Sequence, residues 1–307
     1  MASADPILRL GCRSSDLAQR QARQVTEALL GAWPGLKVDL GVFTTSGDRQ
    51  LDQPLPDIGG KGVFTAELEN ALHSRQIDIA VHSLKDLPTQ EAPGLKLGAI
   101  PFRQDARDVL VAAGKLELAE LPPGAVVGTS SLRRRAQLLH LRPDLTIRSI
   151  RGNVETRVRK VLSGEYDAAV LAAAGLLRLN LGHHISSWFS LDQMMPAPGQ
   201  GALAVQQRSD DPEVSDRLAA IDQPELRRAV EAERTFLRRL EAGCSAPVGA
   251  WATDENGTIA MQAAVFPLNG ANPIRLSATG ADPIDLGVEL AEAALLQGAG
   301  AMLSHAG

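Results

Sequence analysis

The feature that most constrains this chain is a pattern that runs once and then starts again. "RLGCRSSDLAQ", from Arg9, reads as an apolar strand, a glycine, a serine pair and the start of a helix. "VVGTSSLRRRAQ", from Val126, repeats that order. "RQIDIAVHS", from Arg75, and "GEYDAAVLA", from Gly164, match in the same way as helix end, aspartate and apolar strand. The spacing is too long for a solenoid and describes two similar lobes. Continuous apolar strands such as "IDIAVHSL" alternate with helices such as "SDLAQRQARQVTEALL", which is expected to stop at Gly31 and Pro34. That alternation calls for mostly parallel sheets covered on both faces. Ligands of open α/β sheets sit at the carboxyl ends of strands, so two such lobes facing each other would make a cleft.

After Gln200 comes "GALAVQQR", a strand-like run, and then "DQPELRRAVEAERTFLRRLEAG", a long helix. Asp222 with Glu225 has capping-box spacing at its start, and Gly243 is its expected end. "TIAMQAAVF" and "IRLSATG" read as strands and "DLGVELAEAALLQG" as a final helix, together a small α+β domain. The expected fold is therefore α/β: two similar doubly wound lobes, periplasmic-binding-protein-like, with a cleft between them, plus a small C-terminal α+β domain.

Composition narrows the function classes. Aromatics make up only 3% of the 307 residues, against a surface that stacks bases or sugars. Two cysteines make no disulfide framework and suit a reducing compartment. "MASADPILRL" lacks the apolar run of an export signal, and no window approaches twenty apolar residues. The expectation is a soluble, cytoplasmic protein. Net charge is −5, yet Arg133 to Lys160 holds nine Lys/Arg and only two acids, Asp144 and Glu155. A basic patch on an acidic chain draws a specific anion more than a general polyanion. The plainer alternative is a solvated helix face.

Four stretches carry candidate chemistry. In "GTSSLRRRAQ", Thr129, Ser130 and Ser131 lie where a strand gives way to a helix, with Arg133 and Arg134 in its first turn. Cations there oppose the helix dipole unless an anion is present. Capping serines with surface arginines are the alternative. In "RSIRGNVETRVRK", Arg151 follows a strand, Asn153 can cap the next helix, and Arg157 lies one turn in. Guanidinium forks hold carboxylates in bidentate fashion, so several forks near one cleft point to a ligand with several carboxylates. In "AVHSLKDLP", a strand ends in Ser83, Lys85 and Asp86. Asp86 either serves a cationic transition state or a proton transfer, or forms a surface pair with Lys85. In "LEAGCSAPVGA", Cys244 follows a helix end, where a thiol's pKa rises; by residue type it reads as a small buried hydrophobe. Metal-ligand spacing, a Walker A loop, the dinucleotide fingerprint and Gly-x-Ser-x-Gly are all missing. Thr44–Phe64, rich in Gly, Pro and Asp and holding Lys61, is long for a connector and is expected to be a mobile loop over the site.

Taken together, "IDIAVHSLKDLP", "GTSSLRRRAQL", "IRSIRGNVETR", "PAPGQGALAV" and "LEAGCSAPVGA" resemble the porphobilinogen deaminase (hydroxymethylbilane synthase) family. The likeness runs from "LRLGCRSSDLA" to about Gly249. Each motif alone is unspecific; their order and spacing are specific. The resemblance implies a transferase of haem (tetrapyrrole) biosynthesis. It would join four porphobilinogen molecules head to tail, with loss of ammonia, into hydroxymethylbilane. It also implies a dipyrromethane cofactor held by a thioether at Cys244, and Asp86 as the catalytic aspartate. Ser83, Lys85, Asp86, Asp48, Thr129, Ser131, Arg133, Arg134, Arg151 and Arg157 match positions around the cofactor. Arg13, Ser15, Phe64, Arg151, Arg157, Arg178 and Gln200 match or neighbour positions for the substrate, as does Gln21. The implied domains are residues 5–101 with 202–220, residues 105–196, and residues 222–307 carrying the cysteine. A monomer without metal, nucleic acid or membrane partner is expected. Arg135 adds a third consecutive arginine, and Cys12 reads as a core residue. Two other classes compete. A non-catalytic two-lobe anion receptor fits the lobes but not the third domain with Cys244. A nucleic-acid binder is opposed by overall acidity and few aromatics.

Overall fold

The computed structural model describes residues 7–45, 65–243 and 245–304. They form two compact units. One runs up to Arg103 and takes in Ala202–Arg227; the other comprises Gln104–Gly201 and the chain from Arg228 onward.

The first unit is built on five strands. These are β1 (Ile7–Arg13), β2 (Lys37–Phe43), β3 (Ile79–Ser83), β4 (Leu95–Ala99) and, tenth in chain order, β10 (Leu203–Arg208). Their order is β2-β1-β3-β10-β4. β1 runs parallel to both β2 and β3, whereas β10 runs antiparallel to β3 and β4. Alternate residues of β3 face opposite cores. Ile79 and Val81 pack with Ala22, Val25 and Leu29 of α1 (Asp16–Ala32), while Ala80 packs with Leu68 and Leu72 of α2 (Ala66–His73). A sheet buried on both faces is why these strands read as continuous apolar runs. α1 passes through Gly31 and stops at Trp33, one residue before Pro34. The proline ring excludes helical backbone from the residue ahead of it, so it is Pro34, not Gly31, that sets this end.

The second unit repeats the plan. β5 (Asp108–Ala112), β6 (Val126–Gly128), β7 (Thr146–Arg148), β8 (Ala168–Ala172) and β9 (Ser187–Trp188) lie in the order β7-β6-β8-β5-β9. β6 is parallel to β7 and β8, and β5 is antiparallel to β8 and β9. Leu110, Ala168 and Val170 pack with Leu138 of α3 (Leu132–Leu141) on one face. Val109, Ala169 and Leu171 pack with Val158 and Val161 of α4 (Val154–Leu162) on the other.

The rhyme heard in the sequence has a physical basis. Asp78 and Asp167 each stand just ahead of the central parallel strand. The Asp78 carboxylate accepts from the backbone N–H of Arg9 (2.9 Å), and that of Asp167 from Val126 (2.7 Å). Each aspartate also donates its own N–H back, to the carbonyls of Arg9 and Val126. Ser15 and Ser131 cap α1 and α3 alike, accepting from the backbone three residues on. One local solution is used twice.

The second unit also carries a three-stranded antiparallel sheet of β11 (Val248–Glu255), β12 (Thr258–Val265) and β13 (Ile274–Gly280). Phe236 of α7 (Pro224–Arg239), the neighbour of α6 (Pro212–Ala219) in sequence, and Leu290 of α8 (Pro283–Leu296) fill its core with Ala250, Ile259 and Met261. Both expected ends of α7 are corrected. Asp222 does not cap it; its carboxylate accepts from the Ile100 backbone (2.7 Å) and from Arg227 (2.7 and 3.0 Å). The chain turns out of the helix at Glu241, at φ 53°, two residues before Gly243, with the Ala242 N–H returning to the Leu237 carbonyl. The earlier turn lets Leu240 and Ala242 pack on the same core.

Candidate active site

Within the first unit, the expected residues gather at the carboxyl end of β3 and the start of α1. Ser15 is spent as the α1 cap. Gln21, buried one turn further on, donates from Nε2 to the Ser83 hydroxyl at 2.8 Å. β3 gives way to a single tight turn, Leu84–Asp86, tied down by the Leu84 N–H on the Ala202 carbonyl. Leu84 is buried, Lys85 is half-buried and Asp86 is exposed, so the turn anchors through its leucine and presents its carboxylate. Arg13, the last residue of β1, is partly buried. Its charge helps hold the imidazole of His82 down to about 4, although burial is the larger cause.

Within the second unit, the arginines lie on the loops and helices that follow β6, β7 and β8. The first two loops are locked together. The Thr129 N–H donates to the Arg148 carbonyl, and the Ser130 hydroxyl bonds Ser149 Oγ and the Ile150 carbonyl (both 2.8 Å). Thr129 Oγ1 accepts from the Ser131 N–H, which shapes the turn into α3. Past β7, Gly152 has φ +107°, and a Cβ there would lie 2.7 Å from Thr156 Cγ2. Only glycine tolerates that turn, and it brings Arg151 alongside the Asn153 cap of α4. Arg157 folds back from the first turn of α4, its Nε donating to the Gly152 carbonyl at 2.9 Å. Arg178 ends α5 (Ala173–Arg178), directly after β8; it is buried and donates from Nη2 to the Gly201 carbonyl at 3.0 Å. Burial pushes its guanidinium down to about 10, still protonated at neutral pH.

Arg133 and Arg134 are not surface residues. They are 3% and 7% exposed, and the reason is an acid that the motif reading missed. Asp108, fully buried, opens β5 opposite Ala172, at the carboxyl end of β8. Arg134 donates to its Oδ1 through Nε (3.2 Å) and Nη2 (2.7 Å). Arg133 Nη1 lies 2.8 Å from Oδ2 and donates to the Met195 carbonyl. Gln200 is also fully buried and donates from Nε2 to the Ala106 carbonyl (2.6 Å) and to Asp108 Oδ1 (2.9 Å). The anion demanded by cations at a helix start is thus partly internal. Two guanidinium groups around one carboxylate still leave a buried net charge of +1. Arg133 Nε is buried and, among the described residues, has no hydrogen-bond partner. Burial pushes the Arg133 guanidinium down; Asp108 opposes that shift and Arg134 adds to it. A site with excess buried cation and an open N–H is suited to a carboxylate. Arg135 is exposed and stands outside this cluster.

"RDVLVA" shows the same aspartate-then-apolar-run pattern as "IDIAV", and that pattern was the signal available for Asp108. Asp48, Lys61, Phe64 and Cys244 lie outside the described residues, as does most of Thr44–Phe64. Cys12 is buried in the first core, where burial pushes its thiol up to about 11. No group of acids, histidines and cysteines among the described residues is arranged to hold a metal ion.

The fold defines an α/β protein with arginines gathered beyond the carboxyl ends of parallel strands. The family model described as porphobilinogen deaminase, dipyrromethane cofactor binding domain, matches residues 8–216, and that of the porphobilinogen deaminase C-terminal domain matches 227–296. The chain is 47% identical to the porphobilinogen deaminase of Brevibacillus brevis over 97% of this chain and 96% of that one. It is 46% identical to that of Syntrophobacter fumaroxidans (90% and 89% covered) and 47% identical to that of Syntrophotalea carbinolica (97% and 95%). Among solved structures, the BenM effector binding domain aligns at 15% identity and a TM-score of 0.45, covering 71% of this chain and 91% of that one. The chain belongs to the porphobilinogen deaminase family.

Proposed function

We propose that this chain condenses four porphobilinogen molecules head to tail, releasing ammonia, to give hydroxymethylbilane for tetrapyrrole synthesis. Family membership over nearly the whole chain, combined with guanidinium groups on the segments that follow three parallel strands, carries the reading. Each pyrrole of substrate and product bears two carboxylates, and a growing chain accumulates negative charge that Arg133, Arg134, Arg151, Arg157 and Arg178 are suited to offset.

The family's dipyrromethane, when bound, supplies the growing end to which the first substrate is joined. The residues fit such a group: Arg133 offers a buried N–H without a partner among the described residues, and the Arg133–Arg134–Asp108 cluster keeps a net positive charge. Cys244 is the proposed thioether anchor. Ser83, Lys85, Thr129, Ser131 and Asp48 are the other residues proposed to contact the cofactor. Arg13, Ser15, Phe64 and Gln200 belong to the substrate side. Gln200 acts there through Asp108, since its amide is buried on that carboxylate.

Asp86 is the proposed catalytic residue. Loss of ammonia leaves a cation delocalised over the substrate's pyrrole, and a carboxylate near the ring N–H lowers the energy of that charge. The same carboxylate would accept the proton released when the new carbon–carbon bond forms. The tight Leu84–Asp86 turn, pinned at its buried end, gives the exposed carboxylate a fixed origin. We take the enzyme to be a cytoplasmic monomer that binds neither nucleic acid nor membrane. Its acidity and 3% aromatic content favour that reading.

The test is turnover of porphobilinogen, followed by ammonia release and by porphyrin formed on acid oxidation of the product. The parent protein is expected to release one ammonia per pyrrole incorporated. Asp86→Asn is expected to keep its covalent adduct, read by intact mass, and to lose about a hundredfold or more in turnover. Unaltered turnover would remove Asp86 from the chemistry; a parent protein that consumes no porphobilinogen would remove the function.

A further inference from the structure

We propose that Asp108 is a positioning residue of this site. Its carboxylate, steadied by Gln200, sets the planes of Arg133 and Arg134 and so the place where a ligand carboxylate docks. The inference rests on the reading that these arginines hold the carboxylates of the pyrrole chain.

Three observations carry it. Asp108 is the first residue of β5, in register with the last residue of β8, so the sheet itself fixes its backbone. Both of its oxygens face guanidinium groups: Oδ1 meets Arg134 twice and Oδ2 meets Arg133. A carboxylate engaged through Nε and Nη2 fixes the orientation of a planar guanidinium as well as its position. Finally, the arrangement is braced from one segment of chain. Met195 offers its carbonyl to Arg133, and its backbone N–H and C=O are both held by the buried Gln137 of α3. Gln200 bonds Asp108, and the N–H of the preceding Gly199 is held by the fully buried Glu233 of α7. Glu233 also accepts from the Ala252 N–H of β11. The "PAPGQGA" motif thereby has a task that no ligand contact is needed to explain. It holds Asp108 through Gln200, while Met195 immediately ahead of it holds Arg133, and it is itself tied to the C-terminal sheet.

Asp108→Asn keeps the shape and breaks the arrangement. Whichever way the amide turns, its NH2 faces a guanidinium or the NH2 of Gln200, donor against donor. Gln200→Met is milder: it removes the brace and leaves both ion pairs. Each variant would be purified as the full chain. Occupancy by the two-pyrrole adduct is read by intact mass, and kcat and KM for porphobilinogen are normalised to occupied protein. Asp108→Asn is expected to lower occupancy or raise KM about tenfold, and Gln200→Met about threefold, with kcat per occupied site within about twofold of the parent. In an Arg133→Leu/Arg134→Leu background, adding Asp108→Asn is expected to cause no further loss, because a residue acting through the arginines has nothing left to position. Normal occupancy and KM in both single variants would overturn the proposal. So would a further loss of about tenfold on adding Asp108→Asn to the arginine-free background, which would mark a merely structural role. Should Asp108→Asn fail to fold, Gln200→Met decides the matter alone. Normal occupancy and KM in Arg133→Leu/Arg134→Leu would instead overturn the reading of the arginines.

Discussion

Burial sets the prospects of Cys12. Cys12 lies among Leu8, Leu10 and Val25, and its thiol is pushed up to about 11, so almost no thiolate exists near neutrality. Iodoacetamide at pH 8 is expected to leave Cys12 of the folded protein unmodified and to alkylate it only after denaturation. With Cys244 as the anchor, Cys244→Ser is expected to lose the adduct mass and Cys12→Ser to keep it; the reverse would reassign the attachment. His82 makes a similar point with the other sign. Buried beside Ser83, its imidazole is held neutral, at about 4 rather than 6.5. A depressed folded value means that the stability it contributes is complete above pH 6.5 and is lost as pH falls toward 4, on the order of 3 kcal/mol in all. The urea midpoint is expected to drop between pH 7 and pH 4.5, and His82→Gln to drop distinctly less. An equal drop in both proteins would assign the acid sensitivity elsewhere.

At the scale of elements, the ends of helices decide more than their middles. Asn153 was legible as a cap, and Ser131 in the plainer of its two readings, because a short oxygen ahead of an amphipathic run has one obvious use; the Ser15 cap emerged with the structure. The end of α7 was not legible. Gly243 looked like the left-handed residue, yet Glu241 takes that conformation, since the apolar contacts of Leu240 and Ala242 decide where the chain turns. A glutamate at φ 53° carries a backbone cost that glycine does not. Glu241→Gly is therefore expected to stabilise the protein by about 0.5–1 kcal/mol, read as a rise in the denaturant midpoint. A fall would mean that the Glu241 side chain contributes more than its backbone costs. The change lies three residues before Cys244, so adduct occupancy is a second readout of the same variant.

For the whole molecule, charge is the governing contrast: a chain of net −5 concentrates arginines at one sheet edge of its second unit. Attraction between these arginines and a substrate with two carboxylates is screened by salt. Raising the salt from about 0.05 to 0.5 M is expected to increase KM for porphobilinogen several-fold and to leave kcat nearly unchanged. A salt-independent KM would place substrate recognition in contacts other than these arginines. The buried part of the cluster is expected to be the less sensitive part, because Arg133 and Arg134 are shielded from solvent ions.

The sequence alone determined the repeated strand–serine–helix unit, the doubly buried strands and the motif arginines. Each of these follows from local physics: hydrophobic period, capping oxygens and charge at a helix start. It also held the family likeness, because several short motifs in one order are far more specific than any one of them. Only the tertiary structure decided that Arg133 and Arg134 lie inside the protein. Their partner, Asp108, stands more than twenty residues ahead of them and meets them because β5 runs back antiparallel along β8. Only the fold, too, set the buried Gln200 amide on the Asp108 carboxylate. A buried charge is tolerated where other elements supply its partner, and which elements meet there is settled by sheet order and register, which no local stretch of sequence contains.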